Sequence, residues 1–404
     1  MKINVLLLLT SFILLSGCTG EDHKMTFGEE LEFLNKHVEI VVLSDASGEA
    51  QVIVSPELQG RVLTSSAMGF EGLSYGWINH ELIASGKILK HINPFGGEDR
   101  FWLGPEGGQY SIFFKKGDPF DLEHWQTPAV FDTEAFAVSQ VLKDRILMTK
   151  DMSLTNYSDT RFDVLVEREV RILSREEALE ALGVTAEETV KVVAFESINR
   201  IENNGKKVWT KENGLLSIWI LGMFNPSPAT TVVIPFERGD EAGFGSVVND
   251  AYFGAVPPDR LVIKEGVLFF SGDGEYRSKI GLSPQRAKPV LGSYDAANGV
   301  LTFVTYTKPE GAHVYVNSMW ELQDAPYAGD VINSYNDGPP EPGAKPLGPF
   351  YELETSSPAA SLNPGEKMEH VHRTFHFQGD ETALDVIAGT LLGVSLDEIV
   401  NAFE

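Results

Sequence analysis

Short runs of apolar and β-branched residues, closed by Gly, Pro, Asn or Asp, recur along most of the chain. Alternation over 38–43 turns at Asp45–Gly48 and returns over 50–54. Similar runs fall at 61–67, 145–149, 162–173, 190–200, 215–223, 261–270, 300–307 and 314–322. This spacing predicts strands, and many short strands predict an all-β fold of stacked antiparallel sheets. Helix signals are few. Residues 27–36 carry an apolar stripe at Phe27, Leu31 and Leu34. Ser174 and Glu177 form the ends of a capping box, and Gly183 can close the helix. With a second helical turn opening at Thr185, 174–189 reads as a helical insertion between strands.

Near the C-terminus, Glu352 and Glu354 fall on one face of a predicted strand. A turn at Asn363–Gly365 follows. A second strand sets His370, His372 and His376 on a single face. Carboxylates beside imidazoles can move protons at neutral pH; a surface hairpin with solvated charges has the same pattern. Alternate strand positions lie about 7 Å apart, so two of these histidines could also reach one metal ion. No metal and no cofactor is assigned. The Pro- and Gly-rich stretch 337–349 predicts a loop that leads into the Glu352/Glu354 strand and lines the cleft it faces.

A second cluster spans 93–111. Glycines surround Glu98, Asp99, Arg100, Trp102 and Glu106. Arginine and carboxylates can hydrogen-bond sugar hydroxyls while an aromatic ring stacks on a sugar face. A glycine-rich crossover with a buried Arg–carboxylate pair is the structural alternative. Arg277, Lys279 and Arg286 form a basic group, suited either to pairing with carboxylates or to holding a uronic acid.

The first residues read as a targeting segment. Lys2 precedes an apolar run over 5–15, and Leu15-Ser16-Gly17 leads into Cys18, the chain's one cysteine. Residues 1–17 are expected to be a lipoprotein signal peptide, with Cys18 lipidated, 18–26 a tether and 27–404 a single domain. The expected location is the cell envelope, at the outer membrane of a Gram-negative bacterium. The membrane is met only through Cys18. With Lys+Arg 32 against Asp+Glu 58, the net charge of −26 repels phosphate backbones. Nucleic acid is therefore excluded as a partner, and carbohydrate remains. No acyl-transfer or phosphate-loop motif is present.

The run Leu353-Glu354-Thr355-Ser356, the run Leu362-Asn363-Pro364-Gly365-Glu366 and the segment GGEDRFWLGPEGGQ at 96–109 together resemble the galactose mutarotase-like superfamily. The resemblance implies an antiparallel β supersandwich with sugar bound on a concave face. It implies Glu354 as general base and Arg100 as a ligand for sugar hydroxyls. Ser356 stands where the superfamily has Gln, and 215–224 lacks the histidine that would be the acid. Candidates for proton transfer are therefore Glu354 with His372 and His376; candidates for binding are Asp99, Arg100, Trp102, Glu106, Trp219 and Glu352. Three functions follow: epimerase-type proton transfer on a sugar, non-catalytic glycan binding, or a glycoside hydrolase or lyase accessory role.

Overall fold

The computed structural model describes residues 24–404. The expected signal peptide over 1–17, the lipidated Cys18 and most of the tether lie outside the described residues. No helix among the described residues is long and apolar enough to cross a membrane.

Three sheets, antiparallel along every ladder, carry the fold. At the centre of a ten-stranded sheet, Lys367–Gln378 pairs with Lys191–Asn203 on one side and Val300–Tyr306 on the other. A five-stranded sheet runs Ser278–Leu282, Ile332–Asn336, Tyr351–Ser356, Ser217–Phe224, Arg100–Gly104 in spatial order. A three-stranded sheet of Val41–Ser44, Gln51–Ser55 and Arg61–Ser66 meets it through a bridge between Val62 and Asp99. The all-β, antiparallel expectation therefore holds.

The inner faces of the two large sheets bury Phe224, Val304, Ile332 and Leu353 against one another. Leu353 is fully buried; truncating such a side chain typically costs about 2–5 kcal/mol. Polar bonds also cross this layer. The Tyr351 hydroxyl and Ser293 Oγ lie 2.8 Å apart. Thr355 Oγ1 lies 2.9 Å from both His370 Nε2 and His372 Nδ1. On the far side of the ten-stranded sheet, Phe375 and Phe377 pack with Leu384, Ile387 and Ile399 of the helices Glu381–Leu391 and Leu396–Val400.

Three expectations change. The capping box at Ser174 and Glu177 forms, but the helix is only Arg175–Leu182, ending at the left-handed Gly183. The turn expected from Thr185 is not helical. Residues 314–322 form no strand; the Gln323 side chain instead donates to the carbonyls of Asn317 and Met319, which satisfies backbone that a ladder would have paired. The strands either side of Asn363–Gly365 are no hairpin. Tyr351–Ser356 belongs to the five-stranded sheet and Lys367–Gln378 to the ten-stranded one.

Candidate functional site

Register decides which side chains meet on the outer face of the five-stranded sheet. Lys279 lies opposite Tyr335, Tyr335 opposite Glu352, and Glu352 opposite Met223. In the next row Glu354 lies opposite Leu221, and Leu221 opposite Arg100. In the third, Trp102 lies opposite Trp219. The two-residue period turns these side chains to the face opposite Leu353, which packs between the two large sheets. They floor a cleft of about 300 Å³ whose lining includes Arg100, Trp102, Trp219, Lys279, Tyr335 and Glu352.

Loops build the walls. Glu106, Trp125, Trp320 and Asp337 line the same cleft. Trp125 and Trp320 stack with centroids 5.7 Å apart. Gly107 lets the Glu106 loop press on the Trp320 loop, since a Cβ there would sit 2.2 Å from the Met319 carbonyl oxygen. The 337–349 loop adds Gly338, Pro340, Lys345 and Leu347, so its expected place beside the Glu352 strand is met.

Charge is paired at depth. Arg100 Nη2 donates to Glu352 Oε1, and its guanidinium lies 5.0 Å from the Trp102 ring centroid. Glu354 Oε2 accepts from Trp219 Nε1 at 2.9 Å and from Lys279 Nζ at 3.1 Å. The Lys279 ammonium lies 4.7 Å from the Trp219 ring centroid, a favourable cation–π placement. Glu354 Oε1, Arg100 Nε and Trp102 Nε1 have no hydrogen-bond partner among the described residues.

Burial shifts the acids. It pushes Glu106 up to about 7; Lys279 pulls the other way, while Glu354 adds to the rise. It pushes Glu352 up to about 8 against the pull of Arg100, with Glu354 again adding. Asp337 rises to about 6, although Gly348 N and the Tyr335 hydroxyl donate to it. Burial alone would lower Lys279, but Glu354, Glu106 and Glu352 outweigh it and hold the ammonium above its ordinary value. Near neutral pH the cleft therefore holds carboxyl groups able to donate as well as accept.

Of the expected site residues, Arg100, Trp102, Glu106, Trp219 and Glu352 converge on the cleft. Glu354 shares their sheet face but is fully buried beneath the lining, so it positions Trp219 and Lys279. Asp99 is elsewhere, in a fully buried pair with Arg168 at 2.6 Å. His372 and His376 are corrected as partners of Glu354. They project between the sheets, on the other side of the five-stranded sheet from its carboxylate, because Thr355, which meets His372, is one position along from Glu354. His376 Nε2 lies 2.9 Å from Glu98 Oε2, and its ring stacks on Tyr75 at 4.4 Å. Burial holds His370 down to about 3 and His372 down to about 4, so both are neutral. No three His, Cys, Asp or Glu side chains among the described residues are grouped to hold a metal ion. The sequence did not single out Trp125, Trp320 or Tyr335, whereas Asp337 opens the 337–349 stretch expected to line the cleft. A bulky aromatic in a loop with Gly117, Pro119 and Pro128 was the available signal for Trp125.

A sequence profile for a family of unknown function, DUF6786, matches residues 25–403. No curated protein matches the chain in sequence. Among solved structures, it is similar to a protein of Synechocystis sp. PCC 6803 at 12% identity and TM-score 0.49, covering 85% of this chain and 96% of that one. It is similar to a galactose mutarotase-like protein of Lactobacillus casei at 10% identity and TM-score 0.47, covering 84% and 100%. For a galactose mutarotase related enzyme of Lactobacillus acidophilus the identity is 9%, the TM-score 0.42 and the coverage 84% and 98%.

Proposed function

The chain belongs to the DUF6786 family, whose function is unknown, and we propose that it binds a carbohydrate in the cleft over the five-stranded sheet. One observation carries this reading: four tryptophans line a single cavity of about 300 Å³ together with Arg100, Lys279, Glu106 and Glu352. The volume sits at the lower end of the about 300–1,000 Å³ usual for ligand clefts, and suits a monosaccharide or glycan end. Indole faces cover the C–H face of a pyranose. Fixed charges answer its hydroxyls, and pairing Arg100 with Glu352 orients both groups before a ligand arrives.

Calorimetric titration with a panel of monosaccharides and short glycans tests this. At least one sugar should bind, and Arg100→Ala should weaken it by about 1–3 kcal/mol, the cost of hydroxyl groups left unpaired. Failure of the whole panel to bind would remove the proposal; unchanged affinity in a folded Arg100→Ala protein would remove Arg100 from the site.

A second reading, epimerase-type proton transfer, is favoured by the elevated Glu106 carboxyl. A group near 7 both gives and takes protons at neutral pH. In this reading Glu106 exchanges protons with the sugar and Glu354 holds the floor in place. Polarimetry on freshly dissolved α-sugars should then show faster drift with the protein, a gain lost in Glu106→Gln. Drift at the uncatalysed rate across the panel rejects catalysis and leaves binding.

A further inference from the structure

The four cations lining the cleft are not equivalent. Arg100 and Lys279, on the sheet floor, are each bonded to a glutamate. Arg277 and Lys345 line the same cavity, and neither has an ion-pair or side-chain hydrogen-bond partner among the described residues. Lys345 is exposed on the 337–349 loop. Arg277 is half-buried, just ahead of the Ser278–Leu282 strand. Its guanidinium carbon lies 3.7 Å from the centroid of the Phe253 ring, which also lines the cleft.

An unpaired, half-buried guanidinium is uncommon, and more so in a chain with net charge −26 and acids to spare. Asp337, on the adjoining loop, feels the Arg277 charge but does not bond it; its two oxygens accept instead from the Tyr335 hydroxyl and from Gly348 N, each at 2.8 Å. Stacking on Phe253 holds the guanidinium plane without using its N–H donors. The planar fork so held matches a carboxylate in a two-point hydrogen bond.

Building on the carbohydrate reading, we infer that the cleft selects an acidic sugar, a hexuronate whose carboxylate pairs with Arg277 while its ring lies over the tryptophan-lined floor. Lys345 adds attraction at the mouth. The planar carboxylate matches the single half-buried fork in a two-point contact; a phosphate is the competing anion that the test includes.

The test is calorimetry of the wild-type chain with glucuronate and galacturonate against glucose and galactose, with the 6-phosphates of both hexoses as a further arm. A uronate should bind at least tenfold tighter than its neutral counterpart, and the preference should shrink as salt is added. Arg277→Gln should abolish the preference, and Arg277→Lys should restore part of it. Equal affinity for neutral and acidic sugars would overturn the inference and leave the carbohydrate reading standing. So would a preference that survives Arg277→Gln, or tighter binding of the 6-phosphates than of the uronates. Absence of binding by every sugar overturns both.

Discussion

At the scale of single residues, Glu354 holds two neighbours in place: the Trp219 indole N–H and the Lys279 ammonium both donate to its Oε2. Lys279 is buried with it, at 9% side-chain exposure against 0%. Removing one member of such a pair strands a charge, which typically costs about 3–5 kcal/mol. Glu354→Gln should lower stability to urea by roughly that much, and Glu354→Gln with Lys279→Met should recover most of the loss. If the single variant is as stable as wild type, the buried pair does not hold the floor. Part of this chemistry was readable in advance. The i, i+2 spacing of Glu352 and Glu354 set the pair on one strand face. Trp219 and Glu354 could be joined only by the fold, because 135 positions separate them. Asp337 and Trp320 lie in loops, where no periodicity marks a direction.

At the scale of elements, the strand Lys367–Gln378 shows where alternation stops informing. Its histidines do share one face, but that face looks into the sandwich rather than into the cleft. Alternation gives the two faces of a strand and not which sheet each faces; that depends on pairing with distant strands. The same limit hid the separation of Tyr351–Ser356 from Lys367–Gln378. The capping box before Arg175–Leu182 is local chemistry and was legible for that reason. The interior histidines make the fold sensitive to acid. Between their ordinary value near 6.5 and about 4, His370 and His372 stay neutral in the fold while the unfolded chain takes up protons. Their contribution is intact above about pH 6.5. It is lost as pH falls, by up to about 1.4 kcal/mol per group for each pH unit. Glu106 and Glu352 act in the opposite sense, since their raised values favour the fold as pH drops from about 8 towards 4.5. The histidine effect is therefore read as a difference between proteins. A His370→Gln, His372→Gln variant should lose less of its urea midpoint than wild type on going from pH 7 to about pH 4.5; identical losses would mean that the imidazoles do not stay neutral.

At the scale of the whole molecule, two segments about 250 positions apart, around Arg100 and around Glu352, meet as an ion pair in one cleft. The sheet floor could come only from strands drawn from across the chain, while the walls come from irregular loops. A rigid floor with loop-built walls is a common way for a β scaffold to hold a binding site. The carbohydrate claim is most directly tested by the cleft's own tryptophans. Four of the chain's six line the cavity, so its occupant must change their surroundings. In titrations followed at once by calorimetry and by tryptophan emission, a bound sugar should produce a saturable emission change with the same midpoint as the heat. Heat of binding with emission unchanged would put the sugar elsewhere on the molecule and contradict the account.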